Sequence, residues 1–252
     1  MNMRYLALGL VGSLAAHAGP LAFQSPTRQT SLLELYTSEG CSSCPSAEAW
    51  LSKLENAPGL WKEFVPVAFH VDYWNYLGWR DPWSSAVYSD RQRAYAQAWS
   101  SDNIYTPAFV LDGKEWRNWM GLRHAPSSSG AMTGILKAVS DDTNHWTISF
   151  SPANASAANY HITAALLASG LDSDVRAGEN QGRHLQHAFV ALDLADKPLA
   201  LSNGVFQTSI TLPIPSNAPP SPLALAVWVA RQGDLGPVQA VGGWLTPPTA
   251  AK

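Results

Sequence analysis

The chain has two cysteines, Cys41 and Cys44, and what surrounds them constrains it more than any other feature. Leu32 to Tyr36 is a short apolar run with strand character, and Thr37 to Gly40 reads as a turn. Cys41-Ser42-Ser43-Cys44-Pro45 follows. Beyond it Ala47, Trp50, Leu51 and Leu54 recur at i, i+3, i+4 and i+7. This predicts a helix over 46–55, stopped by Asn56-Ala57-Pro58-Gly59. A strand, a turn and a helix start therefore converge on one dithiol. Free N–H groups and the positive end of a helix dipole favour thiolate there, and thiolate is the nucleophile of thiol–disulfide exchange. Helical spacing brings the second sulfur near the first. Pro45 costs little in a first turn, where its missing N–H would have no partner. Two cysteines make neither a disulfide scaffold nor a four-thiolate zinc site. Other uses stay open for the pair: a structural disulfide, whose short ring adds little stability, half of a metal site, or simple packing.

Sixteen Lys and Arg stand against nineteen Asp and Glu, a formal net charge of −3. That excludes a broad nucleic-acid or anionic-membrane footprint. Residues 1–18 combine Arg4, an apolar run from Tyr5 to Ala16 and an A-x-A site at Ala16-His17-Ala18. The run is too short to span a bilayer well, so it predicts a secretory signal peptide and a mature chain free of the membrane. The expected location is exported, periplasmic or secreted, where disulfides persist.

Further along, 19–30 reads as a polar lead-in and Phe64 to Val71 as a second strand. Asp72 to Trp83 is a loop dense in aromatic residues, and Ser84 to Trp99 is a helix with Ser84 or Ser85 as N-cap. Ala108 to Leu111 predicts a strand ending in an Asp112-Gly113 hairpin turn, with Glu115 to Met120 returning. Ala131, Met132, Ile135, Ala138 and Val139 predict a helix over 129–139. After Asp141-Asp142 strand-like runs recur at 145–150, 160–167, 187–194, 205–212 and 223–229, which suggests an antiparallel sandwich. The expected division is 29–141, with an aromatic-rich insertion at 72–99, and 142–248.

Ile104-Tyr105-Thr106-Pro107-Ala108-Phe109-Val110-Leu111-Asp112-Gly113-Lys114 resembles the thioredoxin segment in which a cis-proline precedes a strand and hairpin. A closer resemblance runs along the chain. Glu34 to Pro45, Phe69-His70-Val71-Asp72-Tyr73-Trp74 and Arg91-Gln92-Arg93-Ala94-Tyr95 are similar to motifs of the DUF1223 family, exported bacterial proteins of unknown function. Gly178-Glu179-Asn180, Arg183, Leu185 and His187 resemble its motif in the β-rich part. The resemblance implies an α/β thioredoxin-like domain followed by an all-β, immunoglobulin-like sandwich. It also implies that Thr106 and Pro107 bind an extended substrate through backbone groups, and that Glu34 resembles a buried acid assisting proton transfer. Gly40 departs from thioredoxin, which has Trp before the first Cys, and the 107 − 41 = 66 residue separation is longer than usual.

The expected chemistry is thiol–disulfide exchange. Cys41 attacks, Cys44 resolves, and Glu34 or Asp72 handles protons. Thr106, Pro107, His70, Tyr73 and Trp74 contact the substrate. His70 and Asp72 alternate with Phe69 and Val71 and share one strand face. Most of Tyr73, Trp74, Tyr76, Trp79 and Trp83 are expected to pack rather than bind. His184 and His187, at i and i+3 on a strand, face opposite ways and share no metal. Glu179, Asn180 and Arg183 are expected to hydrogen-bond the two parts together or to line their junction. No cofactor and no resident metal are assigned. The partners are a protein or small-molecule thiol or disulfide and a further redox protein. Two rival classes remain: a Cu(I)-binding protein using Cys41, Cys44 and His70, and a non-catalytic binding module.

Overall fold

The computed structural model describes residues 20–121, 125–154, 158–216, 218 and 221–246. The expected signal peptide, 1–18, lies outside the described residues. The chain begins β1 (Leu21–Gln24), β2 (Ser31–Thr37), α1 (Cys44–Ser52), β3 (Phe64–His70), α2 (Ala86–Ala98), β4 (Ala108–Leu111) and β5 (Lys114–Glu115). It continues through β6 (Gly134–Ser140), β7 (His145–Pro152), β8 (Tyr160–Ala168), β9 (Leu171–Asp174) and β10 (His184–His187). The last elements are β11 (Val190–Pro198), β12 (Ala200–Ser202), β13 (Val205–Thr211), β14 (Leu223–Arg231) and β15 (Pro237–Thr246).

The molecule is mostly β, with two α-helices among the described residues. This corrects the expected α/β thioredoxin-like domain followed by an immunoglobulin-like sandwich. The overturning feature is one eight-stranded sheet in the order β15-β14-β8-β11-β3-β2-β4-β5. β2 and β3 are parallel, and β11 extends them through a parallel pairing of Val190 with Ala68. The physical reason lies in β3. Phe64–His70 is buried at every position, so both faces and its outer edge need cover, and strands from the C-terminal half supply it. Strand periodicity in those later residues does not say which sheet they join. A second, antiparallel sheet runs β1-β6-β7-β13-β12, and β9 pairs with β10 alone.

The two large sheets pack face to face. Trp146, Ile148 and Phe150 of β7 share a core with Ile162 and Leu166 of β8 and Leu225 and Val227 of β14. The opposite face of β8 and β14 offers Ala165, Leu167, Ala224, Ala226 and Trp228 to a second core with Phe69, Tyr88 and Phe189. Burial on both faces explains why β14 reads as the unbroken apolar run LALAVWVA.

Two local expectations need correcting. The helix over 129–139 is instead β6, whose residues alternate between buried Leu136, Ala138 and Ser140 and less buried Ile135, Lys137 and Val139. The apolar set fitted both periods, and the neighbouring edges of β1 and β7 settled it as a strand. The lead-in contains β1, paired with β6 from Leu21↔Ser140 to Gln24↔Lys137. β15 carries Gly242-Gly243, which weakens its strand signal. A Cβ on Gly242 would lie 2.6 Å from the Trp61 ring, and one on Gly243 2.2 Å from the Phe23 ring. The missing side chains are the space into which two aromatic rings pack.

The elements around the dithiol follow the sequence more closely. Ser85 Oγ caps α2 by accepting the Val87 N–H. Asp112 and Gly113 turn between β4 and β5 at positive φ, although the return strand is shorter than expected. The helices cover opposite faces of this end of the sheet. Glu34 and Tyr36 meet Arg91 and Tyr95 of α2, whereas Phe109 of β4 meets Trp50 of α1 with ring centroids 5.3 Å apart. No described helix is long and apolar enough to cross a membrane.

Candidate functional site

β2 ends at Thr37, and the turn after it delivers Cys41 one turn ahead of α1. The Cys41 N–H donates to the Ser38 carbonyl at 3.1 Å, and the Cys44 N–H to that of Cys41 at 3.2 Å. Cys44 is the first residue of the helix and Pro45 sits in its first turn. The two sulfurs form a disulfide, with the Cα atoms 5.4 Å apart. Both cysteines are buried, Cys41 at 2% exposure, while Ser42 and Ser43 beside them are exposed.

The Thr106–Pro107 peptide bond is cis. The Thr106 carbonyl oxygen lies 3.7 Å from Cys41 Sγ, and Ser43 Oγ lies 3.3 Å from the same sulfur. Trp74 Nε1 donates to Thr106 Oγ1 at 2.7 Å, which ties the aromatic loop to this segment. Trp74 also explains Gly40. A Cβ at position 40 would lie 2.8 Å from Trp74 Cβ, so the residue before Cys41 must lack a side chain. Beside the disulfide a cleft of about 470 Å³ is lined by Ser43, Ser46, Thr106, Pro107, Trp116 and Trp119, among others.

The structure thus gathers Cys41, Cys44, Thr106, Pro107 and Trp74. Tyr73 lies beside Thr106, and Glu34, Asp72 and His70 are engaged by other partners. Glu34 is fully buried; Arg91 Nε donates to it at 2.7 Å, the Tyr36 hydroxyl at 2.9 Å and the Tyr95 hydroxyl at 2.5 Å. Asp72 accepts from Ser89 Oγ at 2.5 Å. Both carboxylates are held by α2. Tyr73 donates to Gln92 Oε1 at 3.1 Å, and burial pushes its phenol up to about 12. His70 lies near Glu48 of α1, and its Nδ1 meets Asp81 Oδ2, from the loop after β3, at 2.8 Å. Among the loop aromatics, Tyr76 is exposed and Trp79 donates to Glu39 Oε2 at 2.6 Å.

Behind the dithiol lies a buried polar cluster that the sequence reading did not assemble. It comprises Glu39, Glu48, His70, Asp81 and His187. His187 Nδ1 meets Glu48 Oε2, and its Nε2 meets Glu39 Oε1 at 3.0 Å. Thr37 Oγ1 donates to Glu48 Oε1 at 2.5 Å. Burial disfavours charge on His187, but Glu48 and Glu39 outweigh it and push the imidazole up to about 10. Burial likewise works against the Glu48 carboxylate, and His187 and His70 still hold it below its ordinary value. One signal was available for Glu48. It shares the inward stripe of α1 with Cys44, Ala47 and Leu51, where a carboxylate needs partners. Asp81 carried no such signal, because it sits in an irregular loop.

The segment 179–183 closes the site from below. Asn180 Nδ2 donates to the Glu39 and Cys41 carbonyls at 2.8 and 2.9 Å, and Arg183 Nη1 donates to Asn180 Oδ1. Glu179 Oε2 accepts the Ser42 N–H at 2.8 Å. His184 is exposed and His187 buried, on opposite faces of β10.

A family model described as a protein of unknown function, DUF1223, matches residues 32–230. No curated protein matches the chain. The crystal structure of protein AGR_C_4864 from Agrobacterium tumefaciens is similar over 89% of this chain and 97% of that one, at 21% identity and a TM-score of 0.61. HBP35 of Porphyromonas gingivalis is similar over 89% of this chain and 78% of that one, at 12% identity and a TM-score of 0.55. At such identities the likeness shows a shared fold and nothing finer.

Proposed function

The chain belongs to the DUF1223 family, whose function is unknown, and from that starting point we propose that it is a thiol–disulfide oxidoreductase acting through Cys41 and Cys44. One observation carries this reading. Cys41 Sγ of the disulfide sits against the Thr106 carbonyl and Ser43 Oγ, and these two residues line a cleft with aromatic walls. A disulfide serving only as a staple across so short a ring would add little stability, and its sulfur would have no need of a cleft.

The chemistry balances without a cofactor. A substrate thiolate attacks Cys41 Sγ, the Cys41–Cys44 bond breaks, and Cys44 leaves as a thiolate. A second substrate thiolate then attacks the mixed disulfide and Cys41 leaves. The substrate dithiol loses two electrons, the protein disulfide gains two, and the substrate's protons pass to the released thiolates or to water. The reverse sequence reduces a substrate disulfide. Cys41 is the exchanging sulfur because Ser43 and Thr106, which border the cleft, flank it. Cys44 is fully buried at the helix start, where N–H groups favour its release as thiolate. The reading includes an exported, oxidising location, supported by the apolar run and A-x-A site of residues 1–18.

The test is turnover of a model peptide disulfide, in both directions, by the full chain. Cys41→Ser is expected to reduce the rate to the uncatalysed level, and Cys44→Ser to accumulate a mixed disulfide through Cys41. Turnover that survives Cys41→Ser would refute the proposal.

A further inference from the structure

We propose that Glu48, His70 and His187 form a buried binding site for one divalent transition-metal ion of the zinc class. The three residues come from α1, β3 and β10, and each offers a ligand atom within 4.8 Å of the other two. Two imidazoles and one carboxylate are a donor set that such ions bind readily.

A second, independent observation points to a ligand. His70 is fully buried, yet among the described residues its Nε2 has no hydrogen-bond partner. The other side of the ring fixes what that nitrogen is. Asp81 Oδ2 already accepts the Glu39 N–H at 2.9 Å, and Asp81 Oδ1 the Trp83 N–H at 2.9 Å. A carboxylate only accepts, so His70 Nδ1 donates to it, and in the neutral ring Nε2 carries the lone pair. Buried and unpartnered, that nitrogen is costly whether it carries a lone pair or a proton, and a metal ion that takes the proton's place satisfies it.

The surroundings have the form expected around a metal. Ligating histidines usually give their second N–H to a carboxylate, which sets ring orientation and raises donor strength. His70 does so with Asp81, and His187 with Glu39. Glu39 is steadied by Trp79 Nε1, and Glu48 by Thr37 Oγ1. Three buried carboxylates thus enclose two imidazoles, so a dication that takes the place of the imidazole protons still meets opposing charge. Bonds of about 2.0–2.2 Å set tetrahedral ligand atoms about 3.3–3.5 Å apart, so His187 Nδ1 and Glu48 Oε2, now hydrogen-bonded to each other, would separate to admit the ion, which would displace the proton held between them.

The occupied site would pin α1, which bears Cys44, to the strand that bears His187. It lies behind the disulfide and uses neither sulfur, so it stands or falls separately from the redox reading.

The test begins with full-length protein unfolded in chelator, then refolded with or without ZnCl2. The expected result is one tightly held Zn2+ per chain and a higher melting temperature. The Cys41→Ser/Cys44→Ser double variant should retain both, which separates this site from a thiolate site. Glu48→Gln should weaken binding by about a hundredfold or more, and Asp81→Asn by about 10–100-fold. If these variants fail to fold, Co2+ in the wild-type chain decides. Visible d–d bands without a sulfur charge-transfer band support the site. Sub-stoichiometric binding, a sulfur charge-transfer band, or loss of the metal with the cysteines would overturn it.

Discussion

Glu34 lies at the floor of the sheet with no exposed surface, and three donors converge on it. Its ion pair with Arg91 is itself enclosed, since the guanidinium lies 5.0 Å from the centroid of the Trp228 ring and 5.7 Å from that of Phe69. Removing one partner of a buried pair leaves an uncompensated charge, which costs about 3–5 kcal/mol. Arg91→Met is therefore expected to lower stability by that order in a urea titration. Arg91→Met combined with Glu34→Gln should recover much of the loss, and no recovery would show that the packing of Arg91 matters more than its charge. Glu179 works in the opposite regime, exposed and held by one loop. The Ser42 N–H keeps its carboxyl below the ordinary 4.5. A depressed value means stability that is present above pH 4.5 and is lost as pH falls through the folded value. In an NMR titration the Ser42 amide should shift with that acid step, and Glu179→Gln should abolish the response. At this scale the sequence exposed Cys41, Cys44, Thr106 and Pro107 because motif and local pattern coincide. Asp81 and Glu39 were hidden because their roles depend on residues that only the fold brings near.

The turn between β2 and α1 and the loop after β3 act as a pair. Gly40 lets Trp74 pack against the turn, and Trp74 in turn holds Thr106. Gly40→Ala forces these apart, and overpacking of this kind costs about 1–3 kcal/mol. The expected result is a drop in melting temperature together with slower disulfide exchange. A stability loss with unchanged exchange would show that Trp74 does not set the position of Thr106. The helix α1, with Ala47, Trp50, Leu51 and Leu54 on one helical period, was legible in the sequence, and α2 through its N-cap serine. β6 was not, because its apolar residues fit both periods and only its neighbours on either side decide. β15 was not, because its central glycines look like breaks until the rings of Trp61 and Phe23 are seen beside them.

Across the whole molecule, β3 depends on β11, and β6 on β7 and β1. A fragment ending at residue 141 would expose the outer edge of β3 and the apolar face of β6. It is expected to lack cooperative thermal unfolding by circular dichroism and to be cut rapidly by protease, whereas the full chain should unfold in a single transition. A well-folded fragment would contradict this dependence. The large-scale order of the strands was the least legible level, since no local pattern records which distant strand completes an edge.

One side chain joins the two extremes of this architecture. Gln239, fully buried on β15, accepts the Thr30 N–H at 2.6 Å across a sequence separation of 209. Its amide nitrogen faces the carbonyls of Pro26, Arg28 and Gly134 at 3.0, 3.0 and 2.8 Å. Contacts of such range are slow to form, because loop closure comes before any gain. During synthesis, then, the backbone near Thr30 waits for a residue made more than two hundred positions later. Until β15 emerges, the backbone groups of Pro26, Arg28, Thr30 and Gly134 lack the side chain that satisfies them, and the amino-terminal part of the sheet stays unfinished.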